Sequence, residues 1–169
     1  MKKILTVFLV ICLIACFVIF YPKQETKYLR VHIKANSNLM QDTNIEYKVK
    51  DLVCNYLTPL FLDCNEIDKA INILNNNLHN IQLTVNSFLK EEGKSYACTI
   101  SLNNEYFPTR VYDGIILEDG YYEALNICLG EGKGDNWWCV LYPPMCLQKN
   151  TKNIEYKSRL LKIINQIFG

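Results

Sequence analysis

INILNNNLHNIQLTVNSFLKEEGKSYACTISLNN, residues 71–104, changes its hydrophobic period half-way along, and that change decides the fold class. Counting in from just upstream, Ile67, Ile71, Leu74, Leu78, Ile81, Val85 and Phe88 step by four and three, which builds one apolar face of a long helix. The same spacing fits a coiled coil, but a single helix of about three heptads more commonly packs on its own domain's sheet. Gly93 is the natural stop. Beyond it Tyr96, Cys98, Ile100 and Leu102 alternate with Ala97, Thr99 and Ser101, the period of a strand, and Asn103-Asn104 predict a turn before Tyr106 and Phe107.

Upstream, YLRVHIKANS from Tyr28 reads as a strand with Leu29, Val31, Ile33 and Ala35 on an apolar face and Arg30, His32, Lys34 and Asn36 on a polar one. Asp42 and Thr43 then start a helix, with Thr43-x-x-Glu46 as a capping box and Ile45, Val49, Val53, Tyr56 and Leu60 as its stripe. Pro59 ends or kinks it. Downstream come strand-like FPTRVY, GIIL and YYEALNICL, with turns at Asp113-Gly114 and Asp119-Gly120, then WWCVLY as a last short strand. A final helix from about Ile154 carries Leu161, Ile164 and Phe168. One strand, two helices and then strands at hairpin spacing predict an α+β domain: a mostly antiparallel sheet with two long helices and a C-terminal helix packed on one face.

Charge and size exclude some functions. With 169 residues and a formal net charge of +1, the chain suits one domain and lacks the basic excess of a nucleic-acid binder. The N-terminus is distinctive: Lys2 and Lys3 precede an apolar run from Ile4 to Phe20, which as a helix would span about 26 Å. An uncleaved signal anchor over residues 1–22 is favoured over a cleaved signal peptide, because the run is long and no A-x-A site follows. Leu13-Ile14-Ala15-Cys16 also has the shape of a lipobox. Each alternative exports the rest of the chain, with residues 23–27 as a linker and 28–169 as the exported domain.

In an exported domain cysteines can pair, and six lie beyond the apolar run: Cys54, Cys64, Cys98, Cys128, Cys139 and Cys146. They permit 15 connectivities. Cys139 and Cys146 are the closest in sequence, and a bridge between them would close a loop stiffened by Pro143 and Pro144, worth about 2–3 kcal/mol. Cys98 and Cys128 read as small buried hydrophobes. No metal site or cofactor is expected: there is no C-x-x-C, and His32 and His79 stand apart from the cysteines in sequence.

The densest stretch of unusual residues is GEGKGDNWWCVLYPPMC, 130–146. Its glycines fail the Walker pattern, since Ile127 stands where the first glycine belongs and Gly134 where the hydroxyl belongs. They also fail G-x-G-x-x-G at Asp135. Thiol catalysis would need Cys139 or Cys146 beside a base, and only His32 or His79 is on offer. His32 reads more readily as a strand histidine on a polar face, and His79 as part of a solvated helix face. What remains is recognition. Adjacent tryptophans on a strand point to opposite faces, so one of Trp137 and Trp138 is expected to anchor the core and the other to lie partly exposed beside a rigid Pro-Pro turn. Gly130, Gly132, Lys133, Gly134, Asn136, Trp137, Trp138, Pro143 and Pro144 make up the candidate partner-binding stretch, with the glycines allowing a close approach or sharp turn.

LRVHIKANSN, KVKDLV, YFPTRVYDGIILEDGYYEAL and above all GEGKGDNWWCVLYPPMC resemble the stage II sporulation protein R family of endospore-forming bacteria. The resemblance covers roughly residues 28–168 and departs from the family pattern at Asn38 and Asp119. It implies a non-enzymatic signalling protein, exported from the forespore into the space between the two membranes around it. There it would activate a membrane-embedded aspartic protease of the mother cell, which processes the precursor of the early mother-cell sigma factor. No small-molecule substrate or nucleic acid is implied. The rival reading is an exported hydrolase with Cys139 as nucleophile, and the position of His32 relative to the two sulfurs separates them.

Overall fold

The structure is a computed structural model that describes residues 28–112 and 114–147. The chain runs through β1 (Leu29–Lys34), α1 (Met40–Leu60), α2 (Ile67–Glu91), β2 (Cys98–Phe107), β3 (Arg110–Tyr112), β4 (Ile115–Leu117), β5 (Gly120–Leu129) and β6 (Asn136–Tyr142). Four strands form one sheet in the order β2-β5-β1-β6, and β3 and β4 form a separate hairpin. β2 and β6 pair antiparallel with their neighbours, while β1 and β5 run parallel. The α+β reading with a mostly antiparallel sheet and two long helices is therefore correct for these residues. The N-terminal segment 1–22, the linker 23–27 and the C-terminal helix expected from Ile154 lie outside the described residues. No helix among the described residues is long and apolar enough to cross a membrane.

The core forms on one face of the sheet. Leu29, Val31 and Ile33 of β1 join Leu125, Ile127 and Leu129 of β5, and Ile45, Val49, Val53 and Leu57 of α1 meet Leu74, Ile81, Val85 and Leu89 of α2 there. Each such side chain contributes about 1.5–3 kcal/mol when withdrawn from water. The stripe of α2 is turned slightly from the expected one, with Leu89 buried and Phe88 only half-buried. Its end is a Schellman motif: Gly93, at φ 70°, donates to Lys90 O and Lys94 donates to Leu89 O.

Three local expectations are corrected. α1 starts at Met40, not at Asp42-Thr43, and no capping box forms, since the Thr43 hydroxyl donates back to Leu39 O at 3.4 Å. Its stripe ends on Leu57, because Leu60 is exposed. Asn103-Asn104 do not turn the chain: they pair with Ala124 and Glu123 in the middle of the β2–β5 ladder. FPTRVY is not one strand either, because Phe107 closes β2 and β3 begins only at Arg110.

Candidate partner-binding groove

The glycine-rich loop packs against the segment that follows β1. Ala35 N–H donates to Asp135 O at 3.0 Å, Gly134 N–H to Ala35 O at 2.9 Å and Lys133 N–H to Asn36 O at 3.2 Å. This extends the β1–β6 ladder by backbone contact. A Cβ at Gly134 would run into the Ser37 carbonyl, so the close approach admits only glycine. Gly130 and Gly132 hold φ of 56° and 60° on the same loop. Asn36 fastens the junction. Its side-chain oxygen accepts from Glu131 N–H at 3.0 Å, and its amide donates to Asp42 at 2.8 Å.

Asp42 is buried and receives three more hydrogen bonds, from the Ser37 hydroxyl at 2.6 Å, Tyr96 OH at 2.9 Å and Lys94 Nζ at 3.1 Å. Burial opposes its charge, but these donors outweigh it and hold the carboxyl well below the usual range. Three of the nine candidate residues, Gly130, Gly132 and Gly134, thus shape the loop, and Lys133 lies exposed beside Glu131 at 2.7 Å.

The two tryptophans divide between the faces of β6. Trp137 pairs with Ile33 and packs on the helix-side core, while Trp138 pairs with His32 on the opposite face. Both are half-buried. Trp138 stands 4.5 Å from the His32 ring and 5.2 Å from Phe107, with the Arg110 guanidinium 5.2 Å from its own ring. Beyond β6, Pro143 follows a cis peptide bond and is half-buried, whereas Pro144 is buried.

β6 is an edge strand, and its outer side forms part of a cavity of about 500 Å³ between α1 and the β3–β4 hairpin. Trp137, Trp138, Tyr112, Met145 and Lys50 line it together with three cysteines. On the hairpin flanking it, Val111 and Ile116 pair across the strands, and each is 65% exposed. These two belong to the surface that sequence reasoning did not single out. The available signal was Ile115-Ile116-Leu117, a run that breaks strand alternation.

The polar face of β1 is covered, with Arg30 and His32 both buried. Arg30 is fully buried, with its guanidinium 4.1 Å from the Phe107 ring centre and 4.8 Å from that of Tyr122, and it donates to Tyr112 OH at 2.7 Å. His32 is also buried. Its Nδ1 meets Glu105 at 3.0 Å and its Nε2 meets Asn136 at 2.7 Å, so both ring nitrogens are engaged. Glu105 further accepts from Lys34 at 2.6 Å; burial resists its ionisation, yet Lys34 and His32 keep its carboxyl below the ordinary value. Cys139 pairs with Val31 and joins the helix-side core, whereas His32 faces the other way. The Cys139–His32 dyad is not assembled. His79 is exposed on α2, away from this strand.

The fold and site therefore define a small α+β domain whose distinctive surface is an aromatic, thiol-lined groove on a sheet edge. The stage II sporulation protein R family model matches residues 25–152, and the chain belongs to that family. It is 33% identical over 118 residues to Stage II sporulation protein R of Bacillus subtilis (strain 168), a stretch covering 70% of this chain and 53% of that protein. The chain spans about half the length of this curated relative. No solved structure matches it. Family membership supports a role in sporulation.

Proposed function

We propose that the chain is an exported signalling protein of sporulation that activates a membrane-embedded aspartic protease of the mother cell, leading to processing of the precursor of the early mother-cell sigma factor. Family membership supports the setting, and the apolar run behind Lys2 and Lys3 supports export from the forespore, with the domain anchored in or released into the intermembrane space. The observation that carries the contact is the groove of Trp137 and Trp138 beside exposed Val111 and Ile116, an aromatic cleft with an apolar rim suited to a protein partner.

The test is a Val111→Asp/Ile116→Asp chain and a Trp138→Ala chain, each produced in the forespore in place of the native one. Processing of the sigma-factor precursor is followed by immunoblot, with thermal melting and fractionation as controls for folding and export. Loss of processing by folded, exported variants supports the contact. Undiminished processing removes these residues from it, and processing in a strain lacking the gene altogether removes the signalling role.

A further inference from the structure

The sheet face turned away from the helices carries a second cavity. Leu29, Val31, Ile33, Leu125 and Ile127 meet the helices in the core, so the alternate residues of β1 and β5 point the other way. The strand register sets them in rows with β2: Thr99, Cys128 and Lys34 in one, Ser101, Asn126 and His32 in the next. At one end of this face Phe107, Tyr122 and Trp138 cover Arg30 and His32. Beside that aromatic cover lies a cavity of about 320 Å³, whose walls include Lys34, Thr99, Ser101, Asn103, Glu105 and Asn126.

Its charges are matched, and several of its neutral polar groups are unused. Lys34 Nζ meets one oxygen of Glu105 at 2.6 Å, and the other oxygen meets His32 Nδ1 at 3.0 Å, which leaves no free charge to hold an ion. The Thr99 and Ser101 hydroxyls have no hydrogen-bond partner among the described residues. The Asn126 amide nitrogen donates to Asn103 Oδ1 and to Ala124 O at 3.2 Å, yet its own oxygen accepts nothing and is shielded from solvent. Among the described residues such shielded, unpartnered side-chain atoms concentrate on this face. Arg30 Nε and Nη1, Asn126 Oδ1 and Trp138 Nε1 all lie here, and only Glu46 Oε1 lies elsewhere. A protein interior rarely leaves such groups unmet, so their clustering marks a surface that takes a polar ligand.

We propose that this cavity binds a neutral oligosaccharide lying across β2 and β5. A sugar presents closely spaced hydroxyls that each donate and accept, and rows of hydroxyl and amide side chains complement them. Thr99 and Ser101 bond the sugar hydroxyls directly, and a small rotation of the Asn126 amide lets its oxygen accept from another. The ion-paired Lys34 and Glu105 add charge-assisted hydrogen bonds without favouring a charged ligand. An apolar ligand finds no purchase here, because Ile127, the one large apolar residue in the wall, turns its side chain to the helices. The volume is at the lower end of the range of about 300–1,000 Å³ for small-ligand sites, enough for a short stretch of glycan. The inference is independent of the protein contact proposed above, which lies at β6 and the β3–β4 hairpin.

The experiment titrates the purified full-length chain, in a zwitterionic detergent without a sugar headgroup, with triacetylchitotriose and with cellotriose. Calorimetry reads affinity, and nuclear magnetic resonance reads the side-chain amides. At least one trisaccharide should bind with a Kd of about 1 mM or tighter, and the Asn103 and Asn126 amide signals should shift with it. Thr99→Val/Ser101→Ala removes only hydroxyls that have no partner among the described residues, so it should leave the Tm unchanged and weaken binding at least about fivefold. The Val111→Asp/Ile116→Asp chain should bind the sugar as wild type does, so this reading and the protein contact fail separately. Absence of binding by both trisaccharides, amide shifts confined to other residues, full affinity in the folded double variant, or tighter binding of trigalacturonate or trialanine each overturns the proposal.

Discussion

The Asn36 amide donates to the Asp42 carboxylate at 2.8 Å, while the oxygen of the same amide accepts from Glu131 N–H at 3.0 Å. Two polar side chains six residues apart thereby hold the start of α1 to a loop that lies 95 positions further along. Every oxygen of Asp42 is occupied, two donors on each. The junction belongs to a region whose backbone geometry also excludes side chains at Gly134, so it is fixed from both sides.

Asp42→Ala is expected to lower the unfolding free energy by about 3 kcal/mol, because it leaves Lys94 and three neutral donors, all half-buried, without their shared acceptor. The carboxyl is depressed below its ordinary 3.8 in the folded chain, so its stabilisation is complete above that pH and is lost as pH falls through the folded-state value. Chemical denaturation at pH 7 and in steps below pH 4 checks both statements. The wild type should lose stability across the acid range, and the variant should lose less.

Glu46 predicts the opposite slope. It is buried on α1, accepts from Trp137 N–H and has one oxygen without a partner. Burial, with Asp135 nearby, pushes its carboxyl up to about 7 from an ordinary 4.5, against the pull of the Trp137 bond. Between those values the folded chain holds a proton that the unfolded chain has released, so stability falls as pH rises through the window. Glu46→Gln should be more stable than wild type by about 2 kcal/mol at pH 8 and equal to it near pH 4.5. Melting curves of the two chains at both pH values read the difference.

Gly134→Ala should cost about 2 kcal/mol, since the added methyl meets the Ser37 carbonyl and either the loop or the end of β1 must give way. A variant as stable as wild type would show that the loop moves freely. Urea midpoints with unchanged slopes give the measurement.

Arg30→Lys is expected to destabilise by about 2 kcal/mol even though charge is conserved. An ammonium cannot lie flat among Phe107, Tyr122 and Tyr112, and it gives up more hydration on burial. Tyr112, raised by burial and lowered again by Arg30, offers a second readout, because its ultraviolet titration should shift upward in the variant.

The helix-to-strand switch at Gly93 was legible because both of its periods are local. So was the division of Trp137 and Trp138 between faces, which follows from strand geometry alone. The parallel pairing of β1 with β5 was not, since it joins Arg30 to Ala124 and no local signal encodes such a partner. Asn103-Asn104 misled for a related reason: asparagine favours turns in isolation, but β5 offers both residues a ladder partner. The burial of Arg30 and His32 on the polar face of β1 was not legible, because the aromatic cover of Phe107, Tyr112 and Tyr122 comes from much later in the chain. The groove was half legible: its tryptophans stood out, while Val111, Ile116 and Cys54 acquire meaning only through tertiary contact.

β1 is the first strand of the described domain to be synthesised, and both its sheet neighbours, β5 and β6, are the last. A growing chain cannot pair β1 before residue 124 exists, nor occupy its second edge before residue 136. Sheet assembly is therefore a late event, set by the longest sequence separations in the fold. Until then β1 has no strand to hold it. The topology itself acts as a timer, postponing folding until almost the whole of the described domain has been made.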